Sequence, residues 1–266
     1  MKIGGIEISN PDKILFPKNK ITKLQVLKYY ESIADKILPF LKNRPLTLHR
    51  FPNGINAEGF YQKKASDYFP PFIKTLKIKT KTEEIDQVYC TTKKSLIYLV
   101  NQGTIEFHIW LAKKDNLYKP DKVIFDLDPS DGLFKKVIEA ALIIKEYLNK
   151  KNISPYVMTT GQSGLHIGYN IRRTKTFDSV REEVKEMGKE LVKEHPFLFT
   201  LEMQKKDREG KIFIDYLRNA YGQTSVCPYS LRANKEAGIA TPILWKNIDK
   251  LKAGNAYQLA NKLKNN

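Results

Sequence analysis

Val123 to Ser130 reads VIFDLDPS, an apolar run that closes on two carboxylates, Asp126 and Asp128. Alternate residues of a strand face the same way, so in an extended segment these two side chains project together from one sheet edge. Like charges held side by side are unfavourable unless a cation lies between them, and hard dications such as Mg²⁺ or Mn²⁺ take carboxylate oxygens. Lys211 to Asp215, KIFID, repeats the pattern and ends on a third acid, Asp215. A DxD tripeptide is also a common solvated turn. The buried-strand flanks VIF and KIFI weigh against that reading, because open sheets place ligand sites where apolar strands end. Three carboxylates from two strand ends are expected to hold two metal ions on a triphosphate.

Composition sets the class of partner. The chain has 266 residues, 46 Lys and Arg against 29 Asp and Glu, a net charge of +17, and 41% hydrophobic residues, enough for a packed core. A surplus of that size expects a polyanion; the plainer reading is a lysine-decorated surface. Eight of the cations are Arg, and Arg50, Arg218 and Arg232 fall inside motif-like segments, which favours the polyanion. No apolar run reaches the roughly 20 residues that span a bilayer, and no signal peptide is read, so membrane attachment is not expected. Cys90 and Cys227 lack CxxC spacing, so neither a zinc knuckle nor a disulfide framework is expected, and a reducing cytoplasm fits.

Along the chain, Thr22 is expected to cap a helix running to about Leu38. Strands are read at Pro45 to Arg50, near Phe60, at Glu84 to Thr91 and at Thr104 to Ile109, with a short helix from Lys93 to Asn101. After the DxD come a helical stripe from Gly132 to Asn149, strands at Pro155 to Thr160 and Leu165 to Ile171, a charged helix from about Asp178 to Lys193, the KIFID strand and Thr224 to Cys227. Strand, helix, strand, strand, helix, strand is a βαββαβ plan with an antiparallel sheet. The Lys- and Asn-rich tail from Asn247 is either a docking helix or frayed.

Two further constellations carry chemistry. In TTGQSGLHIG, Thr159 to Gly168, a tight Gly/Ser turn can expose backbone N–H groups as an anion nest, with His166 on the outgoing strand aimed at its contents. A lone strand histidine is more often a core residue; next to this turn and the acids, His166 reads as functional, and His108 in IEFH more weakly so. Arg50, the aromatic pair Phe60 and Tyr61, and Lys63 with Lys64 could stack on bases and hold phosphates. Lys13 and Lys23 flank the first turn and could meet a phosphate.

The ordered run PDKILFP, RPLTLHRFPNG, GFYQKKASDYFP, NQGTIEFHIW, DKVIFDLDPSDG, TTGQSGLHIG, KIFIDYLRNAYGQTSVCPYSLRA and ATPILW resembles the polymerase domain of bacterial and archaeal DNA ligase D, over about residues 8 to 245. That domain belongs to the archaeo-eukaryotic primase superfamily and serves non-homologous end joining. The resemblance implies an α+β primase-polymerase fold: a catalytic RRM-like antiparallel-sheet module at about 116–245 packed on an N-terminal α/β module at about 1–115, as one domain. It implies that Asp126, Asp128 and Asp215 bind two catalytic Mn²⁺ or Mg²⁺ ions. His166, Ser163, the turn backbone at Gly164, Arg218 and Arg232 would contact the NTP or dNTP, and Arg50 and His108 would line the active site. Phe60 and Tyr61 would pack on the template near a gap, beside Lys63. Lys13 and Lys23 would bind the 5′-phosphate of a downstream strand.

The chain departs from its relatives at Ser163, where many carry lysine, and at His49, where a basic residue is common; both changes bear on nucleotide affinity. The activity implied is template-directed addition of one or a few nucleotides at double-stranded breaks and gaps, favouring ribonucleotides and Mn²⁺, by a monomer with Ku and separate ligase and phosphoesterase partners. Primer synthesis de novo and non-catalytic end binding are the alternatives. A haloacid-dehalogenase-like phosphatase fits poorly, because its DxD belongs on the first strand.

Overall fold

The computed structural model describes residues 1–80 and 82–264, and in it the DxD run is the strand Lys122–Pro129. This strand is central: it pairs antiparallel with Leu165–Asn170 on one side and with Ile212–Ile214 on the other. Tyr156–Thr159 and then Thr241–Ile243 extend the sheet antiparallel at one edge, and Phe199–Thr200 adds a short parallel strand at the other. Period-two alternation sorts the central strand. Val123, Phe125 and Leu127 are buried with Val137, Ala141, Ile144, Val180 and Val184, which come from the helices Phe134–Lys150 and Phe177–Glu194. Asp126 and Asp128 therefore emerge on the opposite face. The βαββαβ order and the antiparallel sheet are those expected from the sequence.

A second sheet, in the order Thr224–Val226, Thr104–Trp110, Leu46–Arg50 and Phe60–Gln62, stands against that acidic face. Its core includes residues from the helices Lys23–Ser32, Ala34–Leu41 and Lys93–Asn101. Thr22 and Gln25 form a reciprocal capping box at the start of the first of these. The helix expected to continue to about Leu38 breaks at Ile33, whose φ of −108° and ψ of 9° lie outside the α region. The bend lets Val26, Leu27 and Tyr30 before it, and Ile37 and Leu41 after it, reach the same core.

The expected module boundary near residue 115 is not a boundary of the sheets. Thr224–Val226 crosses back to pair with Thr104–Trp110, and Cys227 and Leu231 are buried in the N-terminal core. The ribbon of Lys74–Lys79 with Glu84–Tyr89 is half unread in the sequence, because lysine-rich KTLKIK has only a weak apolar alternation. The tail includes the helix Leu259–Lys264, with Leu259 buried in the N-terminal core; residues 265–266 lie outside the described residues. Among the described residues no helix is long and apolar enough to cross a membrane.

Candidate active site

Asp126 and His166 are direct cross-strand partners in the antiparallel pair, which puts both side chains on the open face of the sheet. His166 Nε2 lies 3.2 Å from Asp126 Oδ1, and Arg218 Nη2 lies 3.0 Å from Asp126 Oδ2. The same guanidinium nitrogen is 3.4 Å from Asp215 Oδ2, so Arg218 stands between the two acids. It is brought there by the 3₁₀ turn Tyr216–Asn219, which Asp215 starts by accepting a hydrogen bond from the Arg218 backbone N–H (3.2 Å).

These partners divide the three acids electrostatically. Burial would raise the pKa of Asp126, but the charge and contact of His166, then Arg218 and Arg232, outweigh it and hold Asp126 below the usual carboxylate range. Asp128 is pushed up, by burial first and then by the charge of Asp126. Asp215 is also pushed up by burial, against the pull of Arg218. A face that ionises one carboxylate at its neighbour's expense fits a cation bound between them, and an all-oxygen set suits Mg²⁺ or Mn²⁺. The three aspartates do not bring their oxygens within 4.8 Å of one another; among the described residues the group that does so is His49, Glu106 and His108.

The turn that follows Thr159 is less open than expected. Gly161 N–H donates to the Gly254 carbonyl (3.0 Å), and the N–H groups of Gln162 and Gly164 both donate to Thr160 Oγ1 (3.3 and 3.2 Å). Most of the anticipated anion nest is thus satisfied internally, with the C-terminal segment supplying one acceptor. Ser163 Oγ instead donates to Asp128 Oδ1 (2.8 Å), tying the turn to the acids. Gly164 is required by space: a Cβ there would meet the Leu127 carbonyl and fall 2.6 Å from Asp128 Oδ1.

One cleft gathers Asp126, Asp128, His166, Arg218, Arg232, His108 and Tyr61, with Thr160, Gln162 and Thr224 completing its wall. Arg232 Nη1 donates to the Thr160 carbonyl (3.1 Å), while its Nε lies 3.2 Å from Glu106 Oε1. Glu106, 1% exposed, was not anticipated. It accepts from the Ala233 N–H (2.7 Å) and contacts His108 Nε2 (2.8 Å), so it orients both functional side chains of its surroundings. The available signal was its i, i+2 spacing from His108 in a strand.

Of the other expected residues, Arg50, Phe60, Lys63, Lys13 and Lys23 lie outside the cleft wall. Arg50 is buried and its guanidinium is committed: Nε and Nη2 donate to the Gln102 carbonyl (3.0 and 2.6 Å), and Nη1 to Gln62 Oε1 (2.8 Å) and Tyr68 OH (3.1 Å). It also lies 5.3 Å from the Phe60 ring centroid and so supports that aromatic from behind. Phe60 and Tyr61 are 46% and 61% exposed, an uncovered aromatic rim. Lys63 is exposed beside a separate hollow with Trp110 and Tyr221. Lys13 Nζ donates to the Pro52 carbonyl (3.0 Å) and Asn53 Oδ1 (3.3 Å), and Lys23 Nζ to the Ser9 carbonyl (2.7 Å) and Ser9 Oγ (3.0 Å). Burial, then the charge of Lys13, lowers the Lys23 pKa to about 8.

The family model described as LigD, primase-polymerase domain, matches residues 22–265. The chain is 31% identical over 257 residues to the multifunctional non-homologous end joining protein LigD of Pseudomonas aeruginosa, covering 96% of this chain and 31% of that protein. It is 32% identical over 245 residues to the bifunctional non-homologous end joining protein LigD of Bacillus subtilis, covering 91% of this chain and 39% of that one. It therefore spans about a third of the length of these relatives. The solved polymerase domain from Mycobacterium tuberculosis ligase D, in complex with DNA, shares the fold at a TM-score of 0.90, with 23% identity over 98% of this chain and 95% of that one. The chain belongs to the LigD primase-polymerase domain family, a class of DNA-directed nucleotidyltransferases.

Proposed function

We propose that this protein extends primer 3′ ends at DNA breaks and short gaps by template-directed nucleotidyl transfer, in non-homologous end joining. The observation that carries the reading is the placement of Asp126 and Asp128 on one sheet face, in a cleft shared with His166, Arg218 and Arg232. Asp126, Asp128 and Asp215 would hold the divalent cations, Arg218 giving up its position between Asp126 and Asp215 as they bind. Such ions, when bound, lower the pKa of the attacking hydroxyl and neutralise charge on the triphosphate and its leaving group.

The chain's own residues supply position and charge. His166, buried and fixed against Asp126, holds that carboxylate's orientation, and Ser163 does the same for Asp128. Arg232 presents a cation to an incoming triphosphate, anchored by Glu106 and the Thr160 carbonyl. Phe60 and Tyr61 offer faces on which template bases stack. Lys13 and Lys23 would receive the 5′-phosphate across a gap, where one partly desolvated ammonium pairs with a dianion. By the same family likeness, ribonucleotides and Mn²⁺ are the favoured substrate and ion, the working unit is a monomer at nucleoid DNA, and Ku, a ligase and a phosphoesterase act on the same ends.

The test is single-nucleotide extension of a gapped, 5′-phosphorylated duplex, with ribo- against deoxyribonucleotides and Mn²⁺ against Mg²⁺. Asp126→Asn removes a ligand whose ion supplies several kcal/mol of charge stabilisation, so addition falls by about a hundredfold or more while duplex binding is kept. Unchanged addition by the variant overturns the reading. Product from a primer-free template would favour priming instead, and binding without addition by the parent would leave end binding alone.

A further inference from the structure

Beside the acidic pair, on the opposing sheet, lies a second ligand set of different chemistry. His49 and Glu106 face each other across the Leu46–Arg50 and Thr104–Trp110 strands, and His108 follows Glu106 on the same face. His49 Nδ1 lies 3.3 Å and His108 Nε2 2.8 Å from the same oxygen, Glu106 Oε2. One ligating atom from each of the three residues falls within 4.8 Å of the others. Four ligands at about 2.1 Å around a tetrahedral ion are about 3.4 Å apart, a spacing close to the 3.3 and 2.8 Å that separate the two imidazole nitrogens from Glu106 Oε2.

His49 Nδ1 is buried and has no aligned hydrogen-bond partner, although the carboxylate is beside it. The ring is not free to turn away. It is stacked on Tyr61 with centroids 3.9 Å apart and 12° between planes, and braced by Phe51 at 4.4 Å. Glu106 keeps its other oxygen on Ala233 N–H and near Arg232, so the acid is anchored at Oε1 and presents Oε2. Two fixed imidazoles and one held carboxylate are the donor set of zinc sites that keep an open fourth position, and imidazole nitrogen selects late transition metals over Mg²⁺ and Mn²⁺.

We propose that His49, Glu106 and His108 bind one transition-metal dication of the Zn²⁺ class, at a site distinct from the three aspartates and opening on the cleft that His108 lines. The proposal does not depend on the nucleotidyl-transfer reading, and its test uses neither DNA nor nucleotide.

The full chain is stripped with a chelator, exchanged into buffer with excess Mg²⁺, and titrated with Zn²⁺ against a competing chromophoric chelator. One zinc per chain is expected, in the parent and equally in an Asp126→Asn, Asp128→Asn double variant. His49→Gln should weaken that zinc by at least about tenfold while leaving the metal-free melting temperature near the parent's. With Co²⁺ as probe, the parent and the aspartate variant should give the intense visible absorption of a four-coordinate ion, which His49→Gln loses. Zinc retained at parental affinity by His49→Gln, or lost from the aspartate variant, overturns the assignment; so does the absence of saturable zinc binding by the parent.

Discussion

Asn219 holds both backbone groups of Ile124: its Oδ1 accepts from the Ile124 N–H (2.9 Å) and its Nδ2 donates to the Ile124 carbonyl (2.8 Å). The side chain is fully buried and ends the 3₁₀ turn that carries Arg218. One amide thus fastens the turn after Asp215 to the strand that presents Asp126. Asn219→Ala leaves a buried donor and acceptor unpaired and is expected to cost about 2–4 kcal/mol. Urea unfolding measures this, and Asn219→Asp, which keeps only the acceptor, should not restore the parental midpoint.

Gly164→Ala drives a methyl group against the Leu127 carbonyl and the Asp128 carboxylate. Relief requires moving either a central strand or an acid of the site. A loss of about 1–3 kcal/mol is expected in thermal unfolding, with nucleotide addition reduced beyond what the stability loss explains. A parental melting temperature would show that the turn yields freely.

The proposed 5′-phosphate contact at Lys23 carries a pH signature. Its ammonium, lowered to about 8 by burial and by Lys13, would regain a proton on pairing with a phosphate dianion. Below about pH 8 the lysine is charged with or without DNA, and the preference for a 5′-phosphate over a 5′-hydroxyl is level. Above it the free lysine is neutral, so the preference declines, by at most about tenfold per pH unit, until the ordinary value of 10.5 is approached. Folding stability moves the other way in that window, rising with pH, because the unfolded chain binds the extra proton there. Fluorescence anisotropy with the two ends across pH tests the first effect, and Lys23→Gln should flatten the profile.

Phe60→Ala and Tyr61→Ala should each weaken binding of a single-stranded template overhang by about 1–3 kcal/mol, the worth of one base stacked on an aromatic face. Both rings are exposed, so metal-free stability changes little for Phe60→Ala. Equal losses on blunt duplex, which offers no unstacked base, would argue against a template platform.

Much of the architecture was legible because it follows from periodicity along single segments. The alternation in VIFDLDPS put Val123, Phe125 and Leu127 on one face and Asp126 and Asp128 on the other, and the cap at Thr22 marks a helix start that the structure keeps. Long-range partners were not legible. Arg50 reads as a free cation beside an aromatic pair, and it is the Gln102 carbonyl, from the end of the Lys93–Asn101 helix, that claims it. The Gly/Ser turn reads as an open nest, and the Gly254 carbonyl and the Thr160 hydroxyl fill it.

By itself the sequence determined the net charge of +17, the alternation that sets Asp126 and Asp128 side by side, and the βαββαβ order, since each depends on residue type and local spacing. Tertiary structure alone decided that Arg218 lies between Asp126 and Asp215, that Thr224–Val226 joins the other sheet, and that Glu106 collects His49, His108 and Arg232. The reason is range: strand parity is fixed by the backbone within a few residues, whereas the partner of a buried charge is whichever group chain closure brings within about 3 Å, and that depends on every packing contact between them.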